Sequence, residues 1–220
     1  MQVTRLSWFI ALTFLADFVS SSGSSFTHST VSWAEKFVSE NNLYVLVPNE
    51  FMTDSFNLVG LPDVPHQQAA LELIVGSAKN ETCSDEVESS ARALFGLIHA
   101  RYICSTPGLT AMCMKYEAGD FGRCPRVLCS GQLLLPCGMS DALGAGTVKG
   151  WCPRCCDLYE FGKHYDGAHW GTSFCHLYQL CKGKDKEARL ETTETCKARA
   201  AKFMPKLFGF RCLTANPAWS

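Results

Sequence analysis

Four cysteines in two short pairs carry the plainest chemistry of this sequence: Cys124-x4-Cys129 and Cys152-x2-Cys155, each pair opening on Cys-Pro. Zinc held by four thiolates sits about 2.3 Å from each sulfur, in a tetrahedron. Two tight turns with two thiolates apiece supply that shape, and the residues between them read as a hairpin that brings the turns together. Four thiolates leave no position for a substrate or a reactive water, so such an ion is structural. The alternatives are two disulfides or free buried thiols. Metal is favoured, because without it this small, turn-rich module has too little core to fold. His164 and His169 follow too closely for a two-cysteine, two-histidine finger and read as surface or packing residues. Cys156 should point away from the metal, and Cys137 reads as a small apolar filler. The remaining cysteines (83, 104, 113, 175, 181, 196 and 212) show no pair at metal spacing. A redox role for Cys152-x2-Cys155 needs a thioredoxin-like βαβ context, which the sequence lacks.

Asp120-Phe121-Gly122 raises a second chemistry, since this tripeptide holds magnesium in protein kinases. A kinase also needs a glycine-rich phosphate loop, a strand lysine and a catalytic loop with Asp and Asn. None is present, and His99-Ala100-Arg101 lacks the aspartate. The tripeptide reads instead as a helix end leading into the first cysteine turn. No GxSxG, HExxH or Walker pattern appears. The paired carboxylates Asp85 and Glu86 read as a solvated loop.

The elements that must hold the four sulfurs follow from pattern and punctuation. Ser32-Trp33-Ala34-Glu35 is a capping box, and Trp33 and Phe37 share a face of the helix it opens. After Pro48, the residues Phe51, Met52, Ser55, Phe56 and Val59 keep helical spacing up to Gly60. A third helix spans His66 to Ala78, and residues 80–90 read mostly as a loop. Val87, Ala91, Leu94, Phe95, Ile98 and Tyr102 form one apolar stripe from Val87 to Cys104. Thr106-Pro107 opens another helix that Gly119 closes. Beyond it lie short apolar runs, including Gln132–Leu135, and a strand over Thr147–Trp151. A last helix carries Phe174, Leu177, Tyr178 and Cys181. The whole is an α+β chain with four stretches: a leader or disordered extension (1–30), an all-helical part (31–119), a four-cysteine zinc-ribbon β module (120–181), and an extended tail (182–220).

The chain has 220 residues, 13 of them cysteine, with 19% charged residues and a net charge of -1. That balance offers no strong field for nucleic acid or an anionic membrane. An odd cysteine count precludes a framework in which every thiol is bridged. Residues 1–25 have the basic start, short apolar centre and small-residue exit of a secretory signal peptide. The other readings are a disordered or weakly helical extension, or a wrongly assigned start. Asn80-Glu81-Thr82 is a lone glycosylation sequon.

Several segments together resemble the casein kinase II regulatory (beta) subunit family. They are Ser55–Leu61, Gly96–Ile103, Gly119–Val127, Leu135–Asp141, Val148–Cys155, Asp166–Gly171 and Phe203–Phe210. The resemblance runs through residues 31–213 and implies a non-catalytic regulator of a Ser/Thr kinase. Cys124, Cys129, Cys152 and Cys155 would bind structural zinc, and the zinc module would mediate homodimerisation. The dimer would hold two catalytic alpha subunits in a heterotetramer, modulating their stability and their choice of protein substrates. Docking would run through a tail hairpin with Phe208 and Phe210 as anchors, beside Pro205 and Leu207; Phe208 stands where the family commonly has Tyr. The family's acidic loop maps onto Glu81, Asp85, Glu86 and Glu88 and is thin here. The serines from Ser20 to Ser29 lack the adjacent acids of the family's autophosphorylation site. The family implies cytoplasm and nucleus; the alternative is the secretory pathway, if residues 1–25 act as a signal. The competing functions are a zinc-ribbon module for nucleic acid or protein without a kinase partner, and a secreted disulfide protein.

Overall fold

The computed structural model describes residues 31–77, 84–162 and 164–181, and the backbone alone at 182, 206–207 and 210–211. Helix α1 (Trp33–Glu40) starts at the expected box. Ser32 accepts from the Glu35 amide while the Glu35 carboxylate accepts from the Ser32 amide. Trp33 and Phe37 stack with ring centroids 5.0 Å apart. The segment after Pro48 is two short helices, α2 (Asn49–Thr53) and α3 (Ser55–Leu58), where the spacing suggests one. Asp54 is the cause. Its backbone is extended, and its carboxylate caps the second helix by accepting from the Phe56 amide at 2.9 Å. The break buries Met52 but leaves Phe56 and Val59 exposed.

Helix α4 (Gln67–Val75) ends at Gly76 in the left-handed conformation. The long helix α5 (Asp85–Tyr102) begins earlier than its apolar stripe, inside the expected loop, because the Ser84 hydroxyl accepts from the Val87 amide. Asp85, Glu86 and Glu88 therefore occupy its first turn, where acidic side chains complement the helix dipole. Helix α6 (Thr106–Ala118) has Ser105 as its cap, Pro107 in its first turn and Gly119 as its stop. No described helix is long and apolar enough to cross a membrane.

The ribbon follows. Strands β1 (Leu135–Cys137), β2 (Lys149–Trp151) and β3 (Leu158–Glu160) form an antiparallel sheet in that order. Thr147, expected in the second strand, instead bridges to Asp166. Helix α7 (Phe174–Lys182) packs on β1. In the tail, β4 (Lys206–Leu207) and β5 (Phe210–Arg211) pair antiparallel, Leu207 with Phe210.

One core joins these pieces. Ala34, Tyr44, Met52, Ile74, Phe95, Ile98 and Met112 of the helical part share it with Leu135, Val148, Trp170, Phe174 and Tyr178. Helix α5 is its axis, with both Gly96 and His99 buried. His169 lies flat against Gly96: a Cβ there would stand 2.1 Å from His169 Cδ2.

Candidate metal centre

Both cysteine pairs sit in hairpin loops. The first loop is closed by an Arg123–Leu133 bridge, with the Cys124 amide donating to the Gln132 carbonyl at 2.7 Å and the Leu134 amide to Gly122 at 3.1 Å. A single 3-10 turn over Val127–Cys129 delivers Cys129, and Ser130 and Gly131, both at positive φ, reverse the chain. The second loop joins β2 to β3. Trp151 pairs with Leu158, and the Cys152 amide donates to the Asp157 carbonyl at 3.0 Å. Two side chains clip the loops together. Arg126 and Asp157 are 2.6 Å apart, and Arg154 Nη1 donates to the Cys129 carbonyl at 2.7 Å.

The four sulfurs converge. All lie within 4.8 Å of one another, with Cys124 to Cys155 and Cys129 to Cys152 each at 3.9 Å. A tetrahedron with about 2.3 Å bonds requires sulfurs about 3.8 Å apart. The donor set and its spacing therefore fit a structural zinc ion, in the geometry read from the two spacings. The protein around it supplies little else: Leu134 is the buried aliphatic residue of the cluster, with Tyr159 partly covering it.

Burial, followed by the neighbouring sulfurs, pushes the Cys129 thiol well above its ordinary value and Cys152 up to about 12. Burial also acts upward on Cys155, but the Tyr159 hydroxyl at 3.2 Å and the Asp157 amide donate to it and bring it down to about 7. Four protein ligands would leave the ion no open position, so its chemistry is to hold the two loops in one shape.

The other sequence-derived residues fall as follows. Cys156 is exposed and outside the four-sulfur cluster, its Sγ 4.0 Å from the Pro153 carbonyl. Cys137 is half-buried at the end of β1. His164 is exposed, and His169 is a packing residue. Glu86 lies 3.6 Å from His66, and Glu88 pairs with Arg92 at 2.6 Å. Glu81, the Asn80 sequon, Pro205 and Phe208 lie outside the described residues. Leu207 and Phe210 are placed by backbone only, in the tail hairpin.

Sequence reasoning missed a buried polar cluster in the main core. The Tyr44 hydroxyl and His169 Nδ1 share a hydrogen bond of 2.6 Å, His99 Nδ1 donates to the His169 carbonyl at 2.8 Å, and the Val45 amide donates to His99 Nε2 at 3.2 Å. Burial drives the His99 imidazole down to about 3 and His169 down to about 4, so both are neutral. The available signal was the position of His99, four residues after Phe95 and hence on the same helix face.

Residues 32–211 match the family described as casein kinase II regulatory subunit. The casein kinase II subunit beta of Schizosaccharomyces pombe is 41% identical over 194 residues, covering 81% of this chain and 78% of that protein. Casein kinase II subunit beta' of Drosophila melanogaster is 37% identical over 191 residues, covering 82% and 83%. Putative casein kinase II subunit beta-4 of Arabidopsis thaliana is 40% identical over 193 residues, covering 82% of this chain and 65% of that protein, just under two thirds of its length. With a family match over most of the chain and this identity spread along it, the chain belongs to the casein kinase II regulatory subunit family, which is regulatory and not catalytic.

Proposed function

We propose that this chain is a zinc-dependent homodimer that docks catalytic subunits of a casein kinase II type Ser/Thr kinase and modulates their stability and substrate choice. The observation that carries the reading is the four-sulfur cluster with apolar surface beside it. Val127 on the first loop is 77% exposed, and Leu158, beside the second, is 41% exposed. A metal-shaped tip with uncovered apolar side chains is suited to pairing with its own copy. The backbone pairing of Leu207 with Phe210 in the tail supports docking through this segment, with Phe208 and Phe210 as aromatic anchors. The proposed compartment is cytoplasm and nucleus, where a reducing milieu keeps zinc thiolates intact.

The test is co-purification with a catalytic subunit and sedimentation of the chain alone. Val127→Glu with Leu158→Glu should convert dimer to monomer while zinc stays bound. Phe208→Ala with Phe210→Ala should weaken kinase binding by about 2 kcal/mol or more, read by calorimetry. A dimer indifferent to the first pair of changes, or an affinity indifferent to the second, would remove the corresponding assignment.

A further inference from the structure

A cavity of about 620 Å³ opens where the helical part meets the chain around α7. Its walls come from distant stretches: Leu61 and Pro62 after α3, Leu97 and Arg101 on α5, Trp170 in the turn before α7, and Leu177 on α7 itself. That volume is in the range of small-molecule sites, which favour places where structural units join. Two donors in these walls are unmet among the described residues. The half-buried Arg101 guanidinium makes one hydrogen bond, Nη1 to the Asn57 carbonyl at 2.7 Å, and enters no ion pair. The indole Nε1 of Trp170, a residue without exposure, has no hydrogen-bond partner.

One carboxylate, Asp141, shares the cavity, but its oxygens are engaged elsewhere. Oδ1 accepts from the Thr172 amide at 2.8 Å and Oδ2 from the Thr172 hydroxyl at 3.1 Å. The two charges also stand at different places on the wall. A Cβ at Gly171 would lie 3.0 Å from Asp141 Oδ1, whereas one at Gly60 would lie 4.0 Å from Arg101 Nη2. Among the described residues, Arg101 is the one cation of the lining. The cavity is therefore polarised, with a guanidinium that lacks a counter-charge at one place and a satisfied carboxylate at another.

We propose that this cavity binds a small aliphatic carboxylate, its anionic end on Arg101 and its chain along Leu61, Leu97 and Leu177. A planar guanidinium is matched by a planar carboxylate, and a donor left without an acceptor costs free energy that such a partner recovers. A bare inorganic anion would leave the apolar walls wet, and a hydrocarbon would leave the guanidinium unmatched. A molecule with one charged end and an apolar body answers both. Asp141 sets its direction by repelling the anionic end. Because the walls belong to α5 and to α7, an occupant would tie these elements together and raise the unfolding temperature.

The experiment titrates metal-loaded full-length protein with octanoate, 1-octanol and acetate by calorimetry, and follows Tm with each. The expected result is one octanoate per chain, bound about tenfold or more tighter than either octanol or acetate, as a charge-assisted hydrogen bond in an apolar site allows. Arg101→Gln should bring octanoate down to the affinity of octanol and leave octanol unchanged. Asp141→Asn should tighten octanoate, since the repelling charge is gone. Arg101 also holds the Asn57 carbonyl, so a second variant, Ala100→Phe, fills the cavity from its α5 wall with both charges in place and should abolish octanoate binding. Octanoate bound no tighter than octanol or acetate would overturn the proposal. So would an octanoate affinity that Ala100→Phe leaves intact.

Discussion

The buried face of α5 and the tip of the ribbon solve the same problem by opposite means. Around α5, Phe95 is surrounded by the rings of Trp33, Phe37, Tyr44 and His99, and its own exposure is nil. Apolar area removed from water suffices there, and the polar atoms of Tyr44, His99 and His169 find partners in one another. At the tip, among the described residues, Leu134 is the buried aliphatic side chain of a cluster built mostly from cysteines, with Tyr159 packed against it. Burial cannot hold that region, and four sulfurs converge where a core would be. With the proposed ion in place, one region of the chain has intrinsic stability and the other draws its stability from the ion.

The strongest way to break the comparison is to remove the ion. Chelation should abolish amide-exchange protection in the two cysteine loops, residues 122–134 and 151–158, while α5 keeps its own. Retention of tip protection in verified metal-free protein would show that the loops hold without it. The free energy at stake is large, since apparent zinc-binding energies in structural sites reach about 10 kcal/mol. Next in size is Phe95→Ala, expected to cost about 3–5 kcal/mol in denaturant unfolding. It should do so with metal content unchanged; coupled loss of zinc would mean the two regions are not separable.

Acid provides a smaller and finer probe. An imidazole free in the unfolded chain titrates near 6.5, and the folded values are about 3 for His99 and about 4 for His169. The unfolded chain therefore binds more protons below pH 6.5. The stability due to neutral imidazoles is complete above that pH and is lost as pH falls from about 6.5 toward 4, at up to about 1.36 kcal/mol per pH unit for each histidine. At pH 5 each should have forfeited about 2 kcal/mol. Urea midpoints across this range measure it, and His169→Asn should roughly halve the slope; an unchanged slope would assign the acid loss elsewhere.

What was legible in the sequence follows the range over which each feature is specified. The Ser32 box, the Gly119 stop and the spacings of the two cysteine pairs are local, and the structure has each of them. The break at Asp54 is also local. It was hidden because the apolar spacing through Phe51, Met52 and Phe56 outweighed one capping aspartate, although the chain turns on that aspartate. The Tyr44–His99–His169 cluster and the Cys175–Pro136 contact join positions far apart in the chain. No periodicity or spacing marks them, because each exists only once α5, β1 and α7 have come together. The acidic residues at 85–88 read as loop because polarity resembles disorder in composition. Ser84 and the helix dipole turn the same polarity into a helix start.

Each cysteine loop is bent by its own strand pair, through Arg123 with Leu133 and Trp151 with Leu158, and the base of the sheet is anchored by Leu135 and Val148 in the main core. The proposed ion would thus meet two loops that stay tethered at this base even when they fray without it. Stripped protein should rearm on adding metal without passing through the denatured chain, so occupancy can follow the ambient supply within the lifetime of a single molecule.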